Sequence, residues 1–216
     1  SRTLHFMEVK RNTSTEPVSG WAVIGDLVGS RQAPSRAETQ AAMLAAFGRV
    51  NELVPAIQPL TATIGDEFQA MFANRKSALV ATLAVRLALP EPMDARFGIA
   101  HGNYEVVGAS SYGLTQDGPA WWDARAAIDE VKRRESRLTG IRTWLHEGGL
   151  VNAYTLTRDQ LVSDFTGRQR RLLLGLIASQ TQAEMAQREQ ISASAVSQAV
   201  RRSGALAILD GLELID

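Results

Sequence analysis

Two aspartates stand where paired carboxylates could do chemistry. Asp26 closes a short apolar run, Trp21–Asp26 (WAVIGD), and Asp66 follows forty residues later in Gly65-Asp66-Glu67. If the two segments lie side by side, the carboxylates repel, and the usual remedies are a shared proton or a divalent cation. Mg2+ takes one or two carboxylates and completes its octahedron with water and phosphate oxygens. Beside Asp26, the turn Val28-Gly29-Ser30-Arg31 leads into a helical pattern, so its backbone N–H groups are placed to meet an anion. A metal next to a phosphate cradle points to a nucleoside polyphosphate. Taken singly, a Gly-Asp at a strand end or in a hairpin is everyday turn chemistry. Only the combination points to a metal site, with Asp26 and Asp66 as ligands. Glu67 reads equally well as a solvated hairpin residue, and His101 as a structural or exposed histidine. Trp121 and Trp122 read as covers for a sheet, and Lys132-Arg133-Arg134 as a solvated helix face.

A second constellation lies between Thr166 and Gly204, where six arginines face only Glu184 and Glu189, a local charge of +4 in a chain of net charge zero. A basic module on an acidic body is what attraction to a phosphate backbone requires. Arg170–Ile177 is an apolar helix, a second begins near Thr181, and Ser192 stands at an N-cap position before Ala193–Arg202. Small Ala186 lets two helices cross closely, while Ile191 and Val196 fix the second across the first. The pattern predicts a helix-turn-helix, although Gln190 stands where a tight turn usually has glycine. Ser192, Ala193, Ser194, Ser197, Gln198, Arg201 and Arg202 would then meet base edges and phosphates of double-stranded DNA in the major groove. The competing reading is a plain helical hairpin used for dimerisation, and a homodimer is the expected state. The apolar tail Leu206–Ile215 is expected to pack on this module or on a second subunit.

The elements that must position these groups follow from periodicity. Strands are predicted at Trp21–Asp26, Thr61–Ile64, Phe68–Phe72, Ala95–Ala100 and Ile141–Leu145, and helices at Ser35–Leu53, Ser77–Leu89 and Pro119–Arg137. A Gly- and Ser-rich loop is predicted through Gly108–Gly113. The order β-α-β-β-α-β-α-β is that of a ferredoxin-like or palm sheet, an α+β fold with its helices on one face. A small all-α domain follows. Residues 1–19 are read as a loose arm, 20–150 as the α+β domain, 151–165 as a helical linker and 166–216 as the helix-turn-helix domain with its tail.

Composition is ordinary and globular, with 216 residues, 45% of them hydrophobic and 21% charged. Absence of cysteine excludes disulfides, thiolate metal sites and a thiol nucleophile. No apolar run approaches a membrane span and no signal-peptide core is visible, so a cytoplasmic protein is expected.

The segments IGDLVGSR (24–31), IGDEFQAMF (64–72), RFGIAHG (96–102) and DGPAWWDARAAIDEVK (117–132) resemble the bacterial SatD family, whose members tend to end in a helix-turn-helix. More distantly, the first three resemble class III nucleotide cyclases. That resemblance implies Asp26 and Asp66 as Mg2+ ligands, and Val28, Gly29 and Ser30 as backbone contacts to phosphate. Asp117 becomes a reader of the base edge. Cyclases carry an Asn and then an Arg on the helix after the last core strand. Here that helix reads Trp122-Asp123-Ala124-Arg125-Ala126, without the Asn, and Arg125 is the nearest match to the Arg. The first glycine of the GGDEF signature is also missing at Ile64. The expectation is a DNA-binding transcriptional regulator whose cyclase-like domain binds a nucleotide with Mg2+. The alternatives are a metal-dependent nucleotidyl cyclase or other phosphoryl-transfer enzyme, and a degenerate palm serving only dimerisation.

Overall fold

The computed structural model describes residues 18–29, 35–110 and 113–215. Strand β1 (Val18–Val28) is central, and begins three residues before the predicted start, inside the expected arm. Helix α1 (Arg36–Leu53) opens on Ser35, whose side chain accepts from the Glu38 N–H at 3.2 Å, and stops before Pro55. Strand β2 (Gln58–Ala62) lies earlier than predicted, because Ile64 belongs to the turn and is 85% exposed. The turn closes with Thr63 N–H donating to Glu67 O at 2.9 Å, and Gly65 takes the φ of 69° it needs. After β3 (Glu67–Phe72), helix α2 (Arg75–Ala88) is capped by Asn74.

Strand β4 (Asp94–Ser110) runs far beyond the predicted Ala100, and β5 (Gly113–Asp117) pairs with its outer half. Gly108, expected in a loop, is therefore a strand residue opposite Thr115. Gly102 marks close approach rather than a stop, since a Cβ there would lie 3.0 Å from the Ala120 backbone nitrogen. Helix α3 (Pro119–Glu135) starts at that point, and β6 (Thr143–Leu145) returns parallel to β4.

The strand order is β2-β3-β1-β4-β5, with the first four antiparallel to their neighbours, which is the ferredoxin-like arrangement. Helices α1 and α2 cover one face, where Phe47, Phe68 and Phe97 stack with ring centroids 4.7 and 5.7 Å apart. The expectation that all helices share this face is overturned by α3. Its Ala120, Trp121, Ala124 and Ile128 pack on Ala22, Ile24, Met71 and Ala100 of the other face. Gly98 permits this, because a Cβ there would fall 2.1 Å from the Ala124 carbonyl oxygen.

The remaining chain is helical: α4 (Leu150–Ser163), α5 (Gly167–Ile177), α6 (Gln182–Glu189), α7 (Ala193–Ser203) and α8 (Ala205–Leu214). Capping boxes at Thr166 and Thr181 start α5 and α6. The expected linker is α4, whose Arg158 and Asp159 are fully buried against α2 and β6. Leu172, Leu173, Met185, Val196 and Ile208 of the later helices join the same buried cluster as Leu79 and Phe97. Helix α8 folds back on its own chain, where Tyr154 donates to Ile208 O at 2.7 Å and Arg75 reaches Ile215 O. Among the described residues, no helix is long and apolar enough to cross a membrane.

Candidate functional site

In the sheet register Asp26 stands between Glu67 of β3 and Arg96 of β4. The next residue, Leu27, donates its N–H to Asp66 O at 3.2 Å, so the two aspartates are brought to one end of the sheet as the sequence predicts. Alternation along β1 turns Asp26 toward the α3 face, together with Ala22 and Ile24. There its carboxylate meets two cations. Arg96 Nη1 lies 3.2 Å from Oδ1 and Lys132 Nζ lies 2.8 Å from Oδ2. Arg96 is itself steadied by Glu135, Nε to Oε2 at 2.8 Å.

Seven residues before Lys132, two turns along α3, Arg125 makes a bidentate pair with Glu67, both bonds 3.0 Å. The hydrogen bond to Glu67 is the largest reason the Arg125 guanidinium sits above its ordinary pKa. Helix α3 thus lays one cation over β3 and another over β1. Glu67, read from sequence as a solvated hairpin residue or equally a metal ligand, is half-exposed and tied to α3. Lys132, read as part of a solvated face, reaches Asp26.

Val28 ends β1, and Gly29 follows with φ 73°, with no described residue within 4 Å of where a side chain would stand. Ser30, expected to complete the phosphate cradle, lies outside the described residues. Asp117 is placed elsewhere. Its Oδ1 accepts from Gly118 N–H at 2.7 Å and from Trp122 Nε1 at 2.8 Å, just ahead of α3. Lys132 is thirteen residues further along that helix than Pro119, about 20 Å at 1.5 Å per residue. The structure therefore gathers Asp26, Asp66, Glu67, Arg125 and Lys132 at one end and puts Asp117 at the other. Trp121 covers the sheet as predicted, whereas Trp122 does not and is 62% exposed. His101 packs its ring against Trp21 at 5.1 Å, at the far end of β1.

The donor set does not fit a resident Mg2+. Both oxygens of Asp26 already serve cations, so a Mg2+ bound there would sit beside an ammonium and a guanidinium.

At the C-terminal site, α6 and α7 are joined by a turn in which Gln190 adopts the left-handed conformation usual for glycine (φ 55°, ψ 45°). Ile191 N–H donates to Ala186 O at 3.1 Å. Met185 and Val196 are fully buried at the crossing, and Ala186 nearly so. Ser192 caps α7 by accepting from Ala195 N–H at 3.1 Å and bonds Ser194 Oγ at 2.9 Å. Ser192, Ala193, Ser194, Gln198, Arg201 and Arg202 are exposed and Ser197 is half-exposed.

The six arginines of this region do not act as one patch. Arg171, Arg188 and Arg168 converge on Glu189 at 2.7, 3.2 and 3.8 Å, and the Arg171 hydrogen bond leads in holding that carboxyl below its ordinary pKa. Arg170 is buried and donates to Arg86 O at 3.3 Å. Sequence reasoning missed these pairings, and with them the enclosed cluster of Arg86, Asp94, Arg142, Arg158 and Asp159.

Among solved structures, the chain is similar to a bacterial light-regulated adenylyl cyclase, at 14% identity and a TM-score of 0.47 over 61% of this chain and 44% of that one. It is also similar to the guanylyl cyclase Cya2, at 13% identity and a TM-score of 0.42 over 53% of this chain and 71% of that one. The chain spans less than half the length of the light-regulated cyclases it matches. No curated protein matches it significantly. The SatD family matches residues 21–210, from within β1 to within α8. A match of that extent means that the chain belongs to the SatD family.

Proposed function

We propose that this protein is a DNA-binding transcriptional regulator, with helices α5–α8 (residues 166–216) as the DNA-binding part and the sheet domain as the binder of a nucleotide. The observation that carries the DNA reading is the division of α7 into two faces. Val196 and Val200 are buried, while Ser194, Gln198, Arg201 and Arg202 stand exposed on a helix held across α6 by a tight turn. Short polar groups ahead of two guanidinium groups suit base edges flanked by phosphates. A homodimer would present two copies of α7 to neighbouring half-sites. With Arg170 buried and Arg168, Arg171 and Arg188 paired with Glu189 at the surface, the phosphate contacts of this module are assigned to Arg201 and Arg202.

The nucleotide reading is supported by the open turn at Gly29 beside Asp26 and by the cations Arg125 and Lys132 within the same end of the sheet. The test is fluorescence anisotropy of the full chain on genomic fragments over a salt series. Arg201→Ala and Arg202→Ala should each weaken binding and flatten the salt slope by about one unit. Absence of binding to any fragment, or binding indifferent to salt, removes the DNA reading. A thermal-shift panel of ATP, GTP and cyclic dinucleotides tests the other half.

A further inference from the structure

At the end of the sheet where a divalent cation is expected, the chain supplies cations of its own. Arg96, Arg125 and Lys132 pair with Asp26, Glu67 and Glu135 at 2.8 to 3.2 Å, and Glu135 is held by Arg142 as well. Lys132 holds a particular position among them. Its side chain is 39% exposed whereas that of Asp26 is 10% exposed, so Lys132 is the more solvent-facing member of the pair. Arg96 holds the other oxygen from within the sheet, at 20% exposure.

We infer that the Lys132 ammonium takes the place at Asp26 that a divalent cation would occupy, so that this site works without a metal. Mg2+ or Mn2+ would need a free lone pair of Asp26 at about 2.1 Å. It would have to enter beside an ammonium and a guanidinium bonded to the same group, and would be repelled by both. The ammonium, in contrast, has three donors on a flexible stem and spends one on Asp26. The other two can meet a phosphate oxygen arriving at Gly29, where no described residue lies within 4 Å of the place a side chain would take. This last step rests on the nucleotide reading; the occupation of the cation position does not.

The experiment is a Mn2+ titration of the full chain, followed by electron paramagnetic resonance, on wild type, Asp26→Asn, Lys132→Gln, Lys132→Arg and the double variant Lys132→Gln/Asp26→Asn. Circular dichroism establishes that each is folded. Wild type and Lys132→Arg should take up no Mn2+ at submillimolar concentration. Lys132→Gln should gain affinity by at least tenfold, and the double variant should lose that gain. Uptake by wild type that Asp26→Asn abolishes would overturn the inference, as would failure of Lys132→Gln to gain any. A parallel titration with ATP or GTP in EDTA reads the phosphate step. Binding that persists in EDTA and weakens at least tenfold in Lys132→Gln supports it, and binding that requires Mg2+ overturns it. If neither nucleotide binds, the nucleotide reading falls while the Mn2+ result still decides the inference.

Discussion

Arg86 of α2 and Asp159 of α4 meet at 3.2 Å with both side chains completely enclosed. The same guanidinium holds Asp94 at the start of β4, at 2.9 and 3.1 Å, and Ser163 Oγ at 3.1 Å. Asp159 also accepts from the Arg142 N–H at 2.9 Å and from Arg158 at 2.9 Å. Helix α4 is thereby bolted to α2 and to the approach to β6. The carbonyl of Arg86 extends the link outward by accepting from Arg170 of α5, and Arg49 of α1 holds the Ala88 carbonyl at 2.7 Å. The last turn of α2 is thus capped from both sides by arginines of other elements.

Removing one member of such a cluster leaves a buried charge without its partner, which costs about 3–5 kcal/mol. Arg86→Met should therefore lower the urea midpoint strongly while leaving the m-value near wild type. A loss below about 1 kcal/mol would mean that the enclosed pairs are not holding the helices to the sheet.

The acid side of the stability profile should carry the same signature. Burial pushes the Asp94 carboxyl up, but the charge and hydrogen bonds of Arg86, helped by Arg142, outweigh it and set the pKa below the ordinary value. A depressed carboxylate stabilises the fold above its unfolded pKa of about 3.9, and that contribution drains away as pH falls through the lower folded value. Equilibrium unfolding between pH 6 and pH 2 should fall steeply at the acid end, and Asp94→Asn should flatten that limb.

How much of this was legible in the sequence depended on whether local signals or tertiary facing decided the outcome. The hairpin at Gly65, the caps at Ser35 and Ser192 and the apolar stripe of α3 are local, and the adjacency of Asp26 and Asp66 follows from strand order alone. The partners of Asp26 do not. Arg96 and Lys132 reach it only because α3 lies on the second face of the sheet, and a Lys-Arg-Arg run reads as solvated in the absence of that placement. Gly98 in the middle of an apolar strand was the signal available, since a strand glycine marks close approach of another backbone. Glu189 was read as one of two acids diluting a basic patch, although three arginines from two helices converge on it. The β4–β5 extension was hidden by glycines that read as loop.

Gly98 supplies the next prediction. A methyl group there meets backbone atoms, the Ala124 carbonyl oxygen at 2.1 Å and the Ile128 nitrogen at 2.3 Å, so no rotamer change can relieve it. Gly98→Ala should lift α3 from the sheet and destabilise the protein by about 1–3 kcal/mol or more. Hydrogen exchange should show lost protection over Pro119–Glu135 with α1 unaffected. Unchanged protection in α3 would contradict this packing.

At the alkaline end, Tyr154 is the group to watch. Burial raises its phenol to a pKa of about 12, and the hydroxyl donates to Ile208 O at 2.7 Å. A raised phenol stabilises the fold fully below its unfolded value of about 10, and the contribution is lost as pH climbs to about 12. Spectrophotometric titration should show a late-ionising tyrosine, and Tyr154→Phe should remove that step. The same substitution should loosen α8, at a cost of about 1 kcal/mol for the lost hydrogen bond.

Catalysis is where least is expected. Formation of a cyclic or linked nucleotide requires a hydroxyl to be deprotonated and aimed at phosphorus, with the developing charge met by a positioned cation. Arg125, the nearest match in sequence to the cyclase arginine, is held in a bidentate pair with Glu67, and no asparagine accompanies it on α3 to orient a ribose. Asp26 is occupied by Arg96 and Lys132. Loss of one well-placed donor typically costs about 10²–10³ in rate, and lost orientation costs more. The expected result is nucleotide binding with turnover too slow to detect, followed by chromatography of ATP and GTP reactions with and without Mg2+. Glu67→Gln, which frees Arg125, should strengthen binding of a triphosphate without starting turnover, because the orienting group is still absent. A product formed by the wild-type protein at roughly 1 s⁻¹ or faster would replace the regulator by an enzyme.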